Sequence, residues 1–189
     1  GGAGTGKTFL AVESAIRSAS LGLDVLVVCR SPVLAAYLEQ QVGESLKITV
    51  KPSGDLLQSN ASEPQYDVLI VDEAQDLFSM KYLDALDIQL KGGLEKGTWR
   101  IFCDPNAQSS FYGEFDETAL KYLEQIDGAV KVPLNRNCRN TADIVTQTRL
   151  ATGADLGAAT AGQGPKVEWS YYESDRGAVH KLEEKINQL

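Results

Sequence analysis

The sequence has few of the residues that build metal centres and disulfide frameworks. In 189 residues it contains three cysteines and one histidine, namely Cys29, Cys103, Cys138 and His180. The cysteines lie far apart and form no C-x-x-C pair, so we expect neither a zinc site nor a disulfide framework. This cysteine usage is typical of a reducing, cytoplasmic setting, in which Cys29 and Cys103 would be small buried residues at strand ends.

Long hydrophobic runs are also lacking. No apolar run approaches the ~20 residues of a membrane span, and the N-terminus has no positive segment followed by an apolar one, as a signal peptide would. We therefore expect no membrane partner. Hydrophobic residues still make up 43% of the chain, which is enough for the core of one domain, or of one domain and part of a second.

Positive charge is in short supply, because 18 Lys and Arg residues stand against 26 Asp and Glu residues, a net charge of −8. Domains that bind nucleic acid are usually basic. The acidic excess lies entirely within residues 61–132, while residues 1–60 and 133–189 are balanced. The composition therefore counts mildly against a nucleic-acid partner and does not exclude one.

The first eight residues, GGAGTGKT, match the phosphate-binding pattern G-x-x-x-x-G-K-[ST]. Glycines let successive backbone N–H groups turn toward phosphate oxygens, and the N-terminus of the following helix favours an anion. Lys7 would bridge the β- and γ-phosphates of a nucleotide, and the Thr8 hydroxyl would ligate Mg²⁺. The competing interpretation is an ordinary glycine-rich turn before a helix. The predicted nucleotide-binding residues are Gly1, Gly2, Ala3, Gly4, Thr5, Gly6, Lys7 and Thr8.

Apolar runs alternate with amphipathic segments along the chain. Strands are predicted at about 24–29, 48–50, 66–71, 99–103, 129–134 and 167–172. Helices are predicted at about 8–20, 32–42, 81–90, 117–125, 141–150 and 176–189. Residues 151–164, rich in Ala, Gly and Thr, are the best candidate for a linker. This alternation predicts an α/β fold, doubly wound around a parallel sheet, with its site at the carboxyl ends of the strands.

The run VLIVDEAQD places two carboxylates directly after a predicted buried strand. Mg²⁺ prefers one or two carboxylates together with waters and phosphates, so Asp72 would hold the metal ion of the phosphate-binding loop. Glu73 would orient or deprotonate the attacking water, which favours hydrolysis over transfer to a small acceptor. The alternative is an exposed acidic turn.

A third polar run, DPNAQSSFY, follows the predicted strand at 99–103. Gln108 would sense the γ-phosphate, and Phe111 or Tyr112 would stack on a base. The alternative is a capped turn with core aromatic residues.

A fourth run, LNRNCRNT, carries Arg136 and Arg139 beside a predicted helix start. A guanidinium group there can bind phosphate oxygens through its bidentate fork. The alternative is a pair of ordinary surface arginines.

In this order, GGAGTGKT, DEAQD, DPNAQSSFY and LNRNCRNTADI resemble motifs I to IV of the UvrD-like superfamily 1 DNA/RNA helicases. The resemblance covers nearly the whole chain, and is greatest to the helicase module that accompanies a nuclease-related domain in many bacterial proteins. It implies a RecA-like phosphate-loop NTPase fold and ATP hydrolysis with Mg²⁺, coupled to movement along single-stranded DNA or RNA. It also implies, as a further partner, a fused or associated nuclease domain.

The resemblance also implies roles for individual residues. The loop lysine and threonine and the first two carboxylates of DEAQD, Asp72 and Glu73, keep the roles given above. Gln75 and Gln108, together with Phe111 and Tyr112, would couple the nucleotide state to the nucleic-acid strand. Arg139 would contact the γ-phosphate from a second lobe.

The sequence departs from the helicase pattern in two places. Asp104 and Gln108 are four residues apart where the helicases have three, so either the loop holds one extra residue or Gln108 is not the sensor. Cys138 stands where the helicases usually have tyrosine, which removes an aromatic contact.

The strand ahead of motif I and the motifs after motif IV are not in this sequence, so we expect a fragment. Residues 1–132 would be the first RecA-like lobe without its first strand, and residues 133–189 would be the start of the second lobe. A motor of this kind closes two lobes on ATP, so the fragment is expected to bind nucleotide but to hydrolyse it poorly.

Two interpretations from other classes remain. The first is a phosphate-loop NTPase that acts as a switch or kinase without a nucleic-acid partner, which would need neither DEAQD nor the arginine motif. The second is a catalytically silent binding module, such as a docking piece of a larger nuclease, and the intact Lys7, Thr8, Asp72 and Glu73 count against it. The choice between DNA and RNA, the direction of movement and the oligomeric state stay open.

Overall fold

Four parallel strands form the main sheet of the protein, seen in a computed structural model that describes residues 1–43, 47–58, 65–104 and 116–187. The strands are β1 (Val25–Cys29), β2 (Ile48–Pro52), β3 (Val68–Val71), β4 (Thr98–Ile101), β5 (Arg136–Asn137) and β6 (Ala158–Ala159). The helices are α1 (Lys7–Ser20), α2 (Pro32–Val42), α3 (Ser53–Leu56), α4 (Met80–Gln89), α5 (Gly93–Lys96), α6 (Glu117–Gln125), α7 (Ala142–Thr152) and α8 (Asp175–Ile186), with a 3₁₀ turn at Ala74–Leu77. This mostly parallel sheet flanked by helices confirms the predicted α/β, RecA-like fold class.

The sheet has the order β2-β1-β3-β4, with all neighbours parallel. Every residue of β1 and β3 is buried, because these central strands are covered on both faces. The register places Val27 opposite both Val50 of β2 and Ile70 of β3. All four carboxyl ends therefore lie along one edge of the sheet, as the alternation of strands and helices predicts.

Side chains of the central strands alternate between two cores, as the two-residue period of a strand requires. Leu26, Val28, Leu69 and Val71 pack in one core with residues of α4 and α6. The other residues of these strands pack in a second core with the small apolar residues of α1 and with α2. Cys29 is buried in this second core, as predicted, whereas Cys103 is only partly buried beyond the end of β4.

The predicted strand at 99–103 is shorter and less buried than expected. Within the described residues β4 is the last strand of the sheet, and its residues alternate between exposed and half-buried. The Trp99 indole nevertheless lies against the core and donates a hydrogen bond to the carbonyl oxygen of Leu94 at 2.8 Å.

Two predicted strands in the last third of the chain are wrong. Residues 129–134 and 167–172 form no strand, and their apolar side chains Val130, Val132, Trp169, Tyr171 and Tyr172 are exposed. A strand needs a partner ladder, and Pro133 has no backbone N–H to offer one. The pairing shifts instead to Arg136–Asn137, which joins Ala158–Ala159 in a small parallel sheet.

Because of this second sheet, residues 151–164 are not the free linker that their composition indicates. The Thr160 N–H donates to the Asn137 carbonyl oxygen at 2.8 Å, and the Ala142 N–H donates to the Gly162 carbonyl oxygen at 2.9 Å. The segment is therefore held against β5 and the start of α7. Among the described residues no helix is long and apolar enough to cross a membrane.

Candidate nucleotide-binding site

The phosphate-binding loop (residues 1–8) lies at the carboxyl edge of the sheet and leads into α1. Gly4 and Gly6 adopt positive φ angles of 83° and 86°, which non-glycine residues rarely adopt. Gly6 is the N-cap of α1, and no side chain in the described part of the chain caps this helix. The first backbone N–H groups of a helix have no partner within it, so this end is suited to bind an anion.

Lys7 is buried and turned back onto the loop that carries it. Its ammonium group donates to the carbonyl oxygens of Gly1 and Gly2 at 2.9 and 3.0 Å. The same nitrogen lies 3.5 Å from Asp104 Oδ2. These three contacts match the three donors of an ammonium group. The two carbonyl oxygens are neutral acceptors. A phosphate group forms a stronger, charge-assisted bond with an ammonium group, so it would displace them from Lys7.

Thr8 and Asp72 are in direct contact, although they are far apart in sequence. The Thr8 hydroxyl donates to Asp72 Oδ2 at 2.7 Å. Asp72 is fully buried, and its other oxygen, Oδ1, has no hydrogen-bond partner among the described residues. Burial raises the pKa of the Asp72 carboxyl above its ordinary value, an effect that the Thr8 hydrogen bond opposes. An unpartnered carboxylate oxygen beside a hydroxyl fits a hard divalent cation such as Mg²⁺.

The described residues contain no group of three or more His, Cys, Asp and Glu side chains that could hold a metal ion. Mg²⁺ does not require one, because it keeps several waters and is bound through one or two carboxylates and the substrate phosphates. The Thr8–Asp72 pair therefore fits the cofactor that the motif order implies.

Glu73 and Gln75 connect the ends of two neighbouring strands. Gln75 Nε2 donates to Glu73 Oε2 at 2.6 Å, and the Asp104 N–H donates to Gln75 Oε1 at 2.9 Å. Glu73 has φ 50° and ψ 46°, and is the one non-glycine residue with positive φ among the described residues. Backbone conformations of this kind cost about 1–3 kcal/mol and persist where the surrounding structure holds them.

A cleft of about 410 Å³ runs from the phosphate-binding loop to the arginine motif. Its volume lies within the ~300–1,000 Å³ typical of small-molecule sites. The structure thus brings together the loop, DEAQD, Asp104 and Arg139, which the sequence analysis treated as separate motifs. The lining residues are Ala3, Gly4, Gly6, Lys7, Thr8, Phe9, Glu73, Gln75, Asp104, Cys138 and Arg139.

Three predicted site residues cannot be placed. Gln108, Phe111 and Tyr112 lie outside the described residues, since residues 105–115 are not described. Their assigned roles stay predictions, as do the roles of the residues in the cleft.

Sequence reasoning missed Asn137. Its side chain is fully buried and donates to the Ala3 carbonyl oxygen of the phosphate-binding loop at 2.8 Å. The available signal was its place directly before Cys138 and Arg139, which stand for the tyrosine and arginine of the helicase N-Y-R-S element. Nothing in the sequence shows that Asn137, rather than Asn135 or Asn140, is the buried one.

The cysteines provide a chemical test of the cleft. Burial raises the pKa of the Cys29 thiol to about 11, whereas Cys138 is exposed and lines the cleft. Because the thiolate is the reactive form, iodoacetamide at neutral pH should alkylate Cys138 first and Cys29 only after unfolding. Mg²⁺ and ATP should slow the reaction at Cys138. Peptide mass spectrometry measures the site and the rate, with a Cys138→Ser variant as the control.

Equal alkylation rates of Cys29 and Cys138 in the native chain would contradict the burial of Cys29. An unchanged Cys138 rate at saturating nucleotide would place the nucleotide outside this cleft.

A family model described as Schlafen group 3, DNA/RNA helicase domain matches residues 1–114, which is more than half of the chain. The matched region contains the phosphate-binding loop, DEAQD and Asp104, and ends before Arg139. No curated protein sequence matches the chain.

Proposed function

The chain belongs to the Schlafen group 3 DNA/RNA helicase domain family, and on that basis we propose that it is the ATP-binding part of a motor that moves along single-stranded DNA or RNA. One observation carries the proposal. The Thr8 hydroxyl and the Asp72 carboxylate lie 2.7 Å apart at the carboxyl edge of the sheet. This contact joins the phosphate-binding loop to DEAQD, and a hydroxyl beside a carboxylate at this place supports a site for Mg²⁺ and the phosphates of ATP.

The order of the four motifs supports a finer assignment to the UvrD-like superfamily 1 type. We propose that residues 1–132 belong to the first RecA-like lobe and residues 133–189 to the start of a second. Arg139 lines the cleft together with the loop, and the strand before it, β5, pairs with β6 outside the main sheet, which supports this division. An arginine so placed would reach the γ-phosphate and stabilise charge that develops during hydrolysis.

The residues of the cleft have distinct tasks in this proposal. A Mg²⁺ ion held by Thr8 and Asp72 would shield the charge of the ATP phosphates while the bond to the γ-phosphate is broken. The backbone N–H groups of the loop hold the phosphate oxygens, and Lys7 leaves its carbonyl partners to bind them. Glu73 accepts a proton from water at its carboxylate. Gln75 holds Glu73 in place from the end of β3.

The function is tested by ATP turnover of the protein with both proposed lobes complete, measured with and without single-stranded DNA and then with single-stranded RNA. Strong stimulation by one polymer supports the motor and identifies its track. Nucleotide binding with turnover that neither polymer changes supports a switch-like NTPase instead. Nucleotide binding with no turnover under any condition supports a binding module.

Lys7→Ala should weaken ATP binding about 10- to 100-fold, because it removes a charge-assisted bond worth about 1.5–3 kcal/mol. Displacement of a fluorescent ATP analogue measures the affinity. Lys121→Ala removes an equal charge from the exposed face of α6 and should leave the affinity unchanged. Equal affinities in the Lys7 variant and the wild type would exclude this loop as the phosphate site.

A further inference from the structure

The segment 134–138 lies directly against the phosphate-binding loop. A Cβ atom added to Gly1 would lie 2.5 Å from the Leu134 carbonyl oxygen, and one added to Gly4 would lie 2.6 Å from Asn137 Oδ1. The Cys138 N–H donates to the Gly4 carbonyl oxygen at 2.9 Å. Gly1 and Gly4 of the loop thus pack so closely against residues 134–138 that neither has room for a side chain.

Asn137 is the centre of this contact, and its amide makes four hydrogen bonds. Nδ2 donates to the carbonyl oxygens of Ala3 and Leu156 at 2.8 and 3.1 Å. Oδ1 accepts from the backbone N–H groups of Arg139 and Asn140 at 3.2 and 2.8 Å. A primary amide has two donors and two lone pairs, so the capacity of this fully buried side chain is used completely.

No other side chain of this size can make the same bonds. Aspartate offers no donor for Ala3 and Leu156, and leucine offers neither donors nor acceptors. Loss of any one of these bonds leaves a buried polar group without a partner, which is the costly outcome for hydrogen bonds inside a protein. The backbone of Asn137 is held as well, because its carbonyl oxygen accepts from the Thr160 N–H at 2.8 Å and from the Thr160 hydroxyl at 2.9 Å.

We infer that Asn137 is a positioning residue that holds the phosphate-binding loop and Arg139 in one fixed frame. One end of its amide holds the Ala3 carbonyl oxygen on the loop, and the other end holds the N–H of Arg139 itself. The Asn137 side chain therefore links the loop to the backbone of Arg139, beside the direct bond from the Cys138 N–H to the Gly4 carbonyl oxygen. This inference rests on the proposed ATP site, and the helicase resemblance gives Asn137 no role.

The expected consequence is a coupling between Asn137 and Arg139 in the recognition of the γ-phosphate. In the wild type, Arg139→Ala should lower the affinity for ATP about tenfold, a typical value for one charge-assisted bond, and leave the affinity for ADP unchanged. Asn137→Asp should lower the ratio of ATP to ADP affinity by a similar factor. In the double variant the second substitution should have no further effect, since residues of one network are not additive.

The matched control is Asn135→Asp, which makes the same change at an exposed position in the same run. It should leave the affinity ratio at its wild-type value. The inference is overturned if Arg139→Ala reduces the ratio as much in the Asn137→Asp background as in the wild type. It is also overturned if the two aspartate variants behave alike.

Asn137→Ser covers the case in which a buried carboxylate prevents folding, because it also removes the donor bonds to Ala3 and Leu156 but adds no charge. Circular dichroism and thermal melting verify that each variant is folded. Hydrogen exchange of the nucleotide-free chain then gives a readout that does not depend on ATP. In Asn137→Ser the amides of residues 3–6 and of Arg139 should both exchange faster, whereas in Asn135→Ser neither should.

The two proposals fail in different ways. If the wild-type chain binds neither ATP nor ADP, the proposed function fails, and hydrogen exchange still decides whether Asn137 fixes the loop. If nucleotide binding depends on Lys7 but the Asn137 variants change neither the affinity ratio nor the exchange of residues 3–6, only the role of Asn137 fails.

Discussion

Replacing Glu73 by glutamine is expected to lower the rate of ATP hydrolysis about 10²- to 10⁴-fold, the usual contribution of a general base. The affinity for ATP should stay close to that of the wild type, because the loop and Asp72 are untouched. Glutamine has nearly the same size and can still bond to Gln75, which now contacts Glu73 Oε2 at 2.6 Å. The loss of hydrolysis rate would therefore measure the contribution of the Glu73 carboxylate as proton acceptor rather than a change in the shape of the site. Single-turnover kinetics with the stimulating polymer present measure the chemical step.

The control for this substitution is Glu95→Gln, which makes the same change at an exposed position on α5. It should leave turnover unaltered. If Glu73→Gln hydrolyses ATP at the wild-type rate, the carboxylate is not the base, and its left-handed backbone would serve only the turn after β3.

Replacing Gly4 by alanine is expected to destabilise the chain by about 2–5 kcal/mol. The backbone of Gly4 has φ 83°, and the left-handed region costs a side chain roughly 1–2 kcal/mol. The new Cβ would also lie 2.6 Å from Asn137 Oδ1 in a fully packed contact, and overpacking of this kind costs about 1–3 kcal/mol. Urea unfolding followed by circular dichroism measures the change.

Gly6→Ala is the matched comparison within the same loop. Gly6 has φ 86°, but an added Cβ would meet nothing within 4 Å, so only the backbone cost of about 1–2 kcal/mol applies. The difference between the two variants isolates the contact with Asn137. In a Gly4→Ala, Asn137→Ala double variant the overlap is removed, and the total loss should be smaller than the sum of the single losses. Equal losses for Gly4→Ala and Gly6→Ala would show that the contact is absent in solution.

The phosphate-binding pattern leaves the identity of residue 4 open, since Gly4 occupies an unspecified position of G-x-x-x-x-G-K-[ST]. The need for glycine there comes from its own φ angle and from a residue more than a hundred positions away. The shape of the loop is therefore set by its neighbour in the fold as well as by the ligand that we propose for it.

The central strands could be predicted from the sequence because their signal is local. A run of apolar residues such as Val25–Cys29 must be buried on both faces, and a parallel sheet is the structure that buries it. The same holds for Val68–Val71, and the position of Asp72 at the sheet edge follows directly from the end of that strand. The α1 and α2 helices follow from glycine, serine and proline at their ends, with Ser31 capping the N-terminus of α2.

The last third of the chain was predicted less well because its pairing is not local. Residues 129–134 have the apolar pattern of a strand, but a strand forms only where a partner presents its hydrogen-bonding edge. The strand that does form is Arg136–Asn137, and its partner, Ala158–Ala159, lies in a stretch whose composition indicates a linker. Composition and periodicity contain no information on which short segments of the chain will pair with each other.

By itself the sequence determined which residues are candidates for phosphate and metal binding, because the loop glycines, Lys7, Thr8, Asp72 and Glu73 follow a spacing that suits those ligands. Only the tertiary structure decided how these groups are held. It paired Thr8 with Asp72, turned Lys7 onto the loop carbonyls, and buried one asparagine of three between the loop and Arg139. The Thr8–Asp72 and Ala3–Asn137 contacts join residues 64 and 134 positions apart, and they arise from packing that no local pattern specifies.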